Sequence, residues 1–358
     1  MSSLEEKNKY DLINFWRFIS SILVVAIHTV TRHQDLGYFI VVFSRIAVPF
    51  FFICSGYFLY NKLYENNKDV RRKNIYKYIK NIFSIYFLWS IIYLIFNYNV
   101  YFGNINFIKE IILLIRSFLF IGISGHLWYL SALCFSVYLL YLLIWKLQFK
   151  FEHICIISIL LYIFSSSGDL YYGLIDNTIW GKFINVYIFF FGSVGTSFMQ
   201  GLIFIVMGIG IRKYSLANKI KRPIIVVAIS YVLFIIEHIT LRYFNVISRD
   251  SNTSIFLLVL APYIFITLLK YESKYNFKWV QKYSNVFKDI SLTIYLIHPL
   301  IISIVSKLFG IMNINELQYE SYIKFILVSL ISIIISLVVN KVKVYNNDKK
   351  IKYIKSYN

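Results

Sequence analysis

Residues 12–31 read LINFWRFISSILVVAIHTVT, an apolar run of the length that crosses the hydrocarbon core of a bilayer as a helix. Two ionisable residues, Arg17 and His28, interrupt it. The rest of the 358-residue chain has a similar composition, with 59% hydrophobic and only 15% charged residues. A soluble domain averages about half apolar and a quarter charged. The composition therefore predicts an integral membrane protein and excludes a soluble or disordered one.

Nine further apolar runs follow, and together they predict an all-α, polytopic integral membrane helical bundle with about ten transmembrane helices. No linker or soluble segment large enough to fold alone separates them, so residues 1–358 are expected to form a single membrane domain. The ten predicted spans are 12–31, 38–61, 79–99, 126–145, 153–168, 195–211, 223–240, 254–271, 289–306 and 322–340.

The charge of the chain supports this topology. The sequence holds 37 Lys and Arg against 17 Asp and Glu, a formal net charge of +20. Of these 37 basic residues, 27 fall in six alternate segments or at the adjoining helix ends. The positive-inside rule then places both termini in the cytoplasm, with residues 341–358 as a basic cytoplasmic tail. This distribution favours contact with a lipid bilayer and excludes a nucleic-acid partner. Abundant Lys, Asn and Ile are typical of an AT-rich bacterial genome, so we expect a multi-pass protein of a bacterial plasma membrane.

Two other apolar stretches do not fit the count. Residues 105–121 are expected to form an interfacial or re-entrant amphipathic helix on the outer face, with Lys109, Glu110 and Arg116 on its polar side. Residues 184–191 are too short to cross the bilayer and are expected to lead into the span at 195–211.

The ionisable groups of the first span are the first functional candidates, because a charge inside a membrane is costly and usually faces a bundle interior or a watery cavity. Arg17 and His28 are eleven residues apart, which places them on one helix face, three turns and about 16 Å from each other. Arg17 is predicted near the cytoplasm and His28 near the outer leaflet. The alternative is a snorkelling arginine and a histidine that is hydrogen-bonded to a neighbouring helix.

Other polar residues near or inside the spans have both functional and structural interpretations. Arg45 keeps its charge and must find partners. Ser55 and Gly56, by contrast, indicate close helix packing. His298 can serve chemistry, or it can bond a carbonyl freed by Pro299. The remaining candidates are His126 and Trp128 at the start of the fourth span, Asp169 after the fifth and Glu237 at the end of the seventh. The structural alternative is an aromatic belt for His126 and Trp128, a solvated loop carboxylate for Asp169 and a merely interfacial position for Glu237.

Metal and disulfide chemistry is not expected. Cys54, Cys134 and Cys155 all lie within apolar runs and have no metal-ligand spacing. A histidine without a metal-partner set is more typical of an acid–base group.

Five segments occur in the order found in a known family. They are VVAIH (24–28), RIAVPFFFICSGYFLY (45–60), HLWYLSAL (126–133), GLIFIVMGIGI (201–211) and SLTIYLIHPLI (291–301). Together with the ten-residue interval between Arg17 and His28, they resemble the membrane-bound acyltransferase type 3 family. The segment SSSGDLYYGL (165–174) also resembles the membrane module of vancomycin-resistance serine racemases. The chain ends 18 residues after the last span, so racemase activity is not expected.

The resemblance implies an O-acyltransferase that moves an acyl group, usually acetyl, from cytoplasmic acyl-CoA to an extracytoplasmic carbohydrate. It implies that His28 is the catalytic residue, as base or as acyl carrier, and that Arg17 supports it or binds the donor. We expect Arg45 or His126 to stabilise the developing oxyanion. Substrate contacts are assigned to Trp128, Asp169, Glu237 and His298. No permanently bound cofactor is expected, and acyl-CoA is a donor substrate.

Two other function classes remain open. The intramembrane Arg, Glu and His residues are also suited to a transporter of a small polar solute such as an amino acid, or to a glycan exporter. A non-catalytic partner subunit is the third interpretation.

Overall fold

The computed structural model describes residues 10–32, 35–98, 107–272, 274, 277–312 and 319–355. All regular secondary structure in these residues is helical, which confirms the predicted class. In chain order, the α-helices are α1 (Asp11–Thr29), α2 (Asp35–Ser44), α3 (Ala47–Leu63), α4 (Lys68–Phe96), α5 (Phe107–Arg116), α6 (Trp128–Tyr141), α7 (Phe151–Ser167), α8 (Ile179–Phe191), α9 (Phe198–Lys213), α10 (Leu216–Lys219), α11 (Pro223–Tyr243), α12 (Leu257–Tyr271), α13 (Lys278–Ile311) and α14 (Glu320–Lys355). Two short π-helices, Ser117–Ile121 and Leu142–Lys146, follow α5 and α6, and a 3-10 helix, Tyr172–Leu174, follows α7.

Among the residues that the structure describes, seven helical stretches are long and apolar enough to cross a membrane, and this confirms a helical membrane protein. The number of ten spans and the cytoplasmic location of the termini stay predictions. The seven stretches are Asp11–Thr29, Asp35–Leu63, Lys68–Phe96, Trp128–Lys146, Pro223–Tyr243, Lys278–Ile311 and Glu320–Asn346. Shorter apolar helices are Phe151–Ser167, Ile179–Phe191 and Leu257–Tyr271.

Several helices extend beyond the apolar runs that predicted them. The run at 289–306 lies inside α13, which begins at Lys278 and ends at Ile311, and the run at 322–340 lies inside α14, which continues to Lys355. Hydropathy marks only the part of a helix that meets lipid. Lys, Gln and Asn residues outside it are compatible with helix and continue the hydrogen-bonded ladder.

The second predicted span is interrupted at Arg45 and Ile46, between α2 and α3. Pro49 explains the break, because proline lacks the N–H that would bond the carbonyl of residue 45. The amides of Arg45 and Ile46 instead donate hydrogen bonds to the carbonyls of Val42 and Phe43, three residues earlier. The break places Arg45 at a helix junction.

The structure also describes the two apolar stretches that were not counted as spans, residues 107–121 of the first and residues 184–191 of the second. Residues 107–116 do form a helix, α5, but Glu110 is buried within the packed chain and does not face outward with Lys109. Arg116 donates a hydrogen bond of 2.9 Å to the carbonyl of Ile188 in α8. Residues 184–191 belong to α8, which ends at Phe191 and is capped by Gly192 in the left-handed region (φ 93°). A loop then separates α8 from α9.

Contacts divide the chain into two compact units. Unit 1 comprises residues 1–47 and 268–358, and unit 2 comprises residues 48–267. In unit 1, α1 packs along α13, and α13 packs along α14. A buried apolar cluster that includes Val25, Ile294 and Val328 joins these three helices.

The amino end of α1 is held by a carboxylate from a distant part of unit 1. The backbone amides of Asp11 and Leu12 donate to the Glu272 carboxylate at 2.6 and 3.0 Å. Negative charge at a helix amino end is favourable, since the first amides of a helix have no partner within it. Burial raises the pKa of Glu272, and the amide hydrogen bonds act against this effect.

In unit 2, α3 and α9 approach closely at glycine residues. A Cβ atom on Gly56 would lie 2.0 Å from the carbonyl oxygen of Ile205, and one on Gly208 would lie 2.2 Å from the carbonyl oxygen of Ile53. Ser55 donates to the carbonyl of Phe51 at 2.9 Å. The packing interpretation of Ser55 and Gly56 therefore agrees with the structure.

We expect Gly56→Ala to lower the free energy of unfolding by about 1–3 kcal/mol, because the two helices must separate to admit the methyl group. Thermal unfolding of the purified protein in detergent measures the effect. Gly125→Ala is the matched control, since an added Cβ there meets nothing within 4 Å. Equal unfolding temperatures for the two variants would contradict the close approach.

Candidate active site

Helix α1 carries both ionisable residues of the first span on one continuous element. Because no break interrupts the helix between Arg17 and His28, they are three turns and about 16 Å apart along it. The His28 side chain is accessible. Arg17 is half-buried, and among the described residues its buried Nε has no hydrogen-bond partner. One helix thus presents an accessible imidazole near one end and a partly buried cation near the other.

His298 lies in α13 and is completely buried. Its Nδ1 is 2.8 Å from the carbonyl oxygen of Tyr295 and 3.2 Å from that of Ile294. Carbonyl oxygens only accept hydrogen bonds, so this geometry assigns the proton of the neutral imidazole to Nδ1. The amide that would normally bond the Tyr295 carbonyl belongs to residue 299, which is proline. The freed-carbonyl interpretation of His298 therefore describes its bonding correctly.

The packing of α1 on α13 brings the two histidines together. The ring centroids of His28 and His298 are 5.3 Å apart, with an angle of 35° between the ring planes. The charges of Arg45 and Arg32 also reach the His28 imidazole. Unit 1 therefore contains an accessible histidine, a buried histidine beside it and two arginine charges within electrostatic range.

Two predicted site residues lie in unit 2 at the start of α6. His126 is buried, with Nδ1 3.2 Å from the Ser124 hydroxyl and its ring edge-on to Tyr93 at 4.9 Å. Trp128 is also buried, with its ring centroid 6.0 Å from that of Phe52. Both side chains are packed against other aromatic rings of unit 2.

Asp169, also in unit 2, is buried and holds a loop. Its Oδ1 accepts from the backbone amides of Asp250 and Ser251 at 2.8 and 3.0 Å. Its Oδ2 accepts from the amide of Asn252 at 2.6 Å and from the hydroxyl of Thr253 at 3.0 Å. Both carboxylate oxygens are thus engaged by residues 250–253. We call residues 248–256 the anchored loop.

Glu237 secures the end of the anchored loop where α12 begins. Its carboxylate accepts from the Ser254 and Tyr171 hydroxyls and, at 2.9 Å, from the amide of Ile255. A carboxylate at this position complements the unpaired amides of the α12 amino end. Burial, together with the hydrogen bond to Glu237, raises the pKa of Tyr171 above its ordinary value.

Sequence reasoning singled out His28 and His298 separately but did not pair them, because 270 positions separate them in the chain. Arg32 is not among the residues that the sequence predicted for the site. The available signal was position, since Arg32 lies four residues after His28. Among the described residues, no group of three or more His, Cys, Asp or Glu side chains is arranged to hold a metal ion.

Comparison with known proteins gives a family match along most of the chain. A family model described as an acyltransferase domain matches residues 10–341. The chain is 30% identical to an amino-acid racemase of Enterococcus faecalis over 92% of this chain and 46% of that protein. It is 27% identical to a serine/alanine racemase of Enterococcus gallinarum over 86% of this chain and 43% of that protein. The chain therefore spans less than half the length of these relatives. No solved structure matches it.

We expect Asp169→Asn to destabilise the anchored loop, because an amide group turns a donor toward backbone N–H groups that need an acceptor. Limited proteolysis and thermal unfolding should both show the loss, of about 1–3 kcal/mol. Asp250→Asn is the matched control, since it removes a carboxylate from the same loop but keeps the amide that bonds Asp169. A control as destabilised as Asp169→Asn would refute this role.

Proposed function

The chain belongs to the acyltransferase family whose domain model covers residues 10–341, and we propose that it is an O-acyltransferase of a bacterial plasma membrane. In this proposal it moves an acyl group, in the first place acetyl, from cytoplasmic acyl-CoA to a hydroxyl group of an extracytoplasmic carbohydrate. Its membrane-spanning helices and the bacterial origin of its relatives support that location.

The observation that carries the proposal is the arrangement around His28. An accessible imidazole lies in a helix long enough to cross the bilayer, beside a second histidine and within range of Arg45. A general base must reach the proton that it removes, so accessibility is the first requirement. Among the candidate residues of unit 1, His28 alone combines this accessibility with a titratable nitrogen.

The donor is expected to enter from the cytoplasmic side. Arg17 lies about 16 Å from His28 along α1, toward the end predicted to be cytoplasmic. Its buried Nε lacks a partner among the described residues, and a guanidinium group suits the geometry of a phosphate. We assign Arg17 to the phosphates of acyl-CoA, with the thioester arm extended along the helix toward His28.

The transfer itself is a displacement at the thioester carbonyl. His28 takes the proton of the acceptor hydroxyl as its oxygen attacks the carbonyl carbon. The new C–O bond forms, the C–S bond breaks, and His28 returns the proton to the departing thiolate. The negative charge that develops on the carbonyl oxygen is favoured by a nearby cation, and Arg45 is our candidate for it. His28 as a nucleophile that carries the acyl group is the variant of this step.

The remaining candidates receive other assignments. The oxyanion role of His126 and the acceptor contact of Trp128 stay predictions, and both residues lie in unit 2. Because their oxygens are engaged by the anchored loop, Asp169 and Glu237 support an acceptor site through that loop in our proposal.

Transport is the second candidate, and the names of the relatives favour it. Both relatives are named racemases, one of serine and alanine, and the similar segment accounts for less than half of each. A membrane segment shared with proteins named for amino-acid reactions is suited to moving an amino acid. In that case Arg17, Arg45 and His28 line a solute path.

We expect His28→Ala to abolish acylation of the cell's surface glycans, because the transfer then lacks its proposed general base. Mass analysis of the isolated polysaccharides measures the loss, with membrane expression verified by immunoblotting. His153→Ala is the matched control, since His153 is an exposed histidine in unit 2. Unchanged glycans in the His28 variant would refute the assignment.

Inverted membrane vesicles separate the two candidate functions. Labelled acetyl-CoA supplied outside such vesicles is expected to yield a covalently labelled acceptor. A transporter instead accumulates labelled serine or alanine without covalent change, and this result would replace the proposed enzyme by the transport function.

We expect Arg17→Ala to raise the KM for acetyl-CoA by about 10- to 100-fold, with a smaller effect on kcat, because a charged hydrogen bond to phosphate is worth about 1.5–3 kcal/mol. Arg17→Lys keeps the charge but loses the planar fork, so its KM should lie between those of the other two proteins. Initial rates in detergent micelles provide both constants. A KM unchanged in Arg17→Ala would exclude Arg17 from donor binding.

A further inference from the structure

The local chemistry of α13 around Pro299 fixes the orientation of a buried histidine. Pro299 has no amide hydrogen, so the carbonyl of Tyr295 lacks its usual partner one turn away. The Nδ1 of His298 lies 2.8 Å from that oxygen. An unsatisfied carbonyl in an apolar interior is costly, and this cost holds the His298 ring in place.

This bond determines which nitrogen of His298 is available to another helix. Nδ1 carries the proton and donates it to the backbone of its own helix. In a neutral imidazole the other nitrogen, Nε2, then carries a lone pair and accepts hydrogen bonds. The neighbouring ring on α1 is His28, whose centroid is 5.3 Å away. Two imidazoles joined by an N–H···N hydrogen bond have centroids about 5 Å apart, so the observed separation is of that size.

We propose that His298 is a positioning residue for His28, whose N–H donates to His298 Nε2 in the substrate complex, so that the other nitrogen of His28 faces the acceptor hydroxyl. The inference rests on the proposed acyl transfer. Catalytic hydrogen bonds are often long in the absence of substrate and shorten in the complex, which this geometry permits. Arg45 and Arg32 act on His28 by charge, whereas His298 sets its tautomer and orientation.

There is a physical reason for a neutral histidine, His298, and not a carboxylate, as the partner of His28. In serine hydrolases a buried aspartate orients the catalytic histidine. A carboxylate at the completely buried position of His298 would carry a large desolvation cost inside the membrane. A histidine whose donor side is already satisfied by Tyr295 offers a hydrogen-bond acceptor that orients His28 without a buried charge.

The proline provides a test that a purely structural role of His298 would not pass. Pro299→Ala restores an amide that bonds the Tyr295 carbonyl and competes with His298 for it. We expect His298→Ala to lower kcat by about 10- to 100-fold with little change in the KM for acetyl-CoA. Pro299→Ala should lower kcat by a smaller factor, and it should have no further effect in the His298→Ala background. Losses that multiply in the double variant would overturn the proposal.

Two conservative variants keep the test informative if His298→Ala fails to fold. His298→Asn retains a donor for the Tyr295 carbonyl but loses the more distant acceptor, so it should fold and remain nearly inactive. His298→Gln places an amide oxygen near the position of Nε2 and should recover part of kcat. An Asn variant as active as the Gln variant would contradict the acceptor role.

A spectroscopic measurement on the full chain needs no activity. In protein labelled with ¹⁵N-histidine, one resonance should report a neutral imidazole protonated at Nδ1, and it should disappear in His298→Ala. Pro299→Ala should move it toward the mixed-tautomer position, and an unchanged signal would overturn the tautomer lock. If His28→Ala retains acylation, the proposed function fails. If His28→Ala is inactive while His298→Ala is fully active, only this inference fails.

Discussion

A bilayer interior contains no water, so a backbone carbonyl that loses its amide partner must find another donor within the protein. This constraint orients the buried histidine of unit 1. Pro299 releases the Tyr295 carbonyl, and the Nδ1 of His298 takes the place of the missing amide. The same ring then lies against His28 on the neighbouring helix. The geometry of the candidate site thus depends on one proline and the carbonyl that it frees.

Unit 2 uses carboxylates as partners for backbone amides of a loop. Asp169 collects three backbone amides and a hydroxyl of the anchored loop, and Glu237 engages the residues that lead into α12. In unit 1, Glu272 serves the first amides of α1 in a similar way. The backbone amides that donate to each carboxylate have no hydrogen-bond partner within a helix or sheet. Such donors hold the charge in place and keep the backbone rigid, so these carboxylates serve as structural anchors.

The helices were predictable from sequence because apolar runs reflect a local property of each segment. The break at Arg45 was also accessible to sequence reasoning, since Pro49 follows it by one turn. The partners of Asp169 were not, because amides of residues 250–252 carry no sequence signature and lie 81 to 83 positions away. Pairing His28 with His298 likewise required knowing which helices pack together. The lengths of α13 and α14 were underestimated because hydropathy indicates which residues contact lipid and does not indicate where the helical hydrogen bonds end.

The arrangement in unit 1 bears on the choice between acyl transfer and transport. A solute path needs donors and acceptors that release their ligand, and it gains nothing from a fixed tautomer. A general base needs a nitrogen whose lone pair points in one direction throughout the reaction. The Tyr295 carbonyl fixes the tautomer of His298, and an N–H···N bond to that ring would fix the tautomer of His28 in turn. His28 is accessible and the adjacent His298 is completely buried. In the proposed reaction, the fixed side of the pair therefore faces the protein and the reactive side is left for the acceptor. That asymmetry favours acyl transfer over transport.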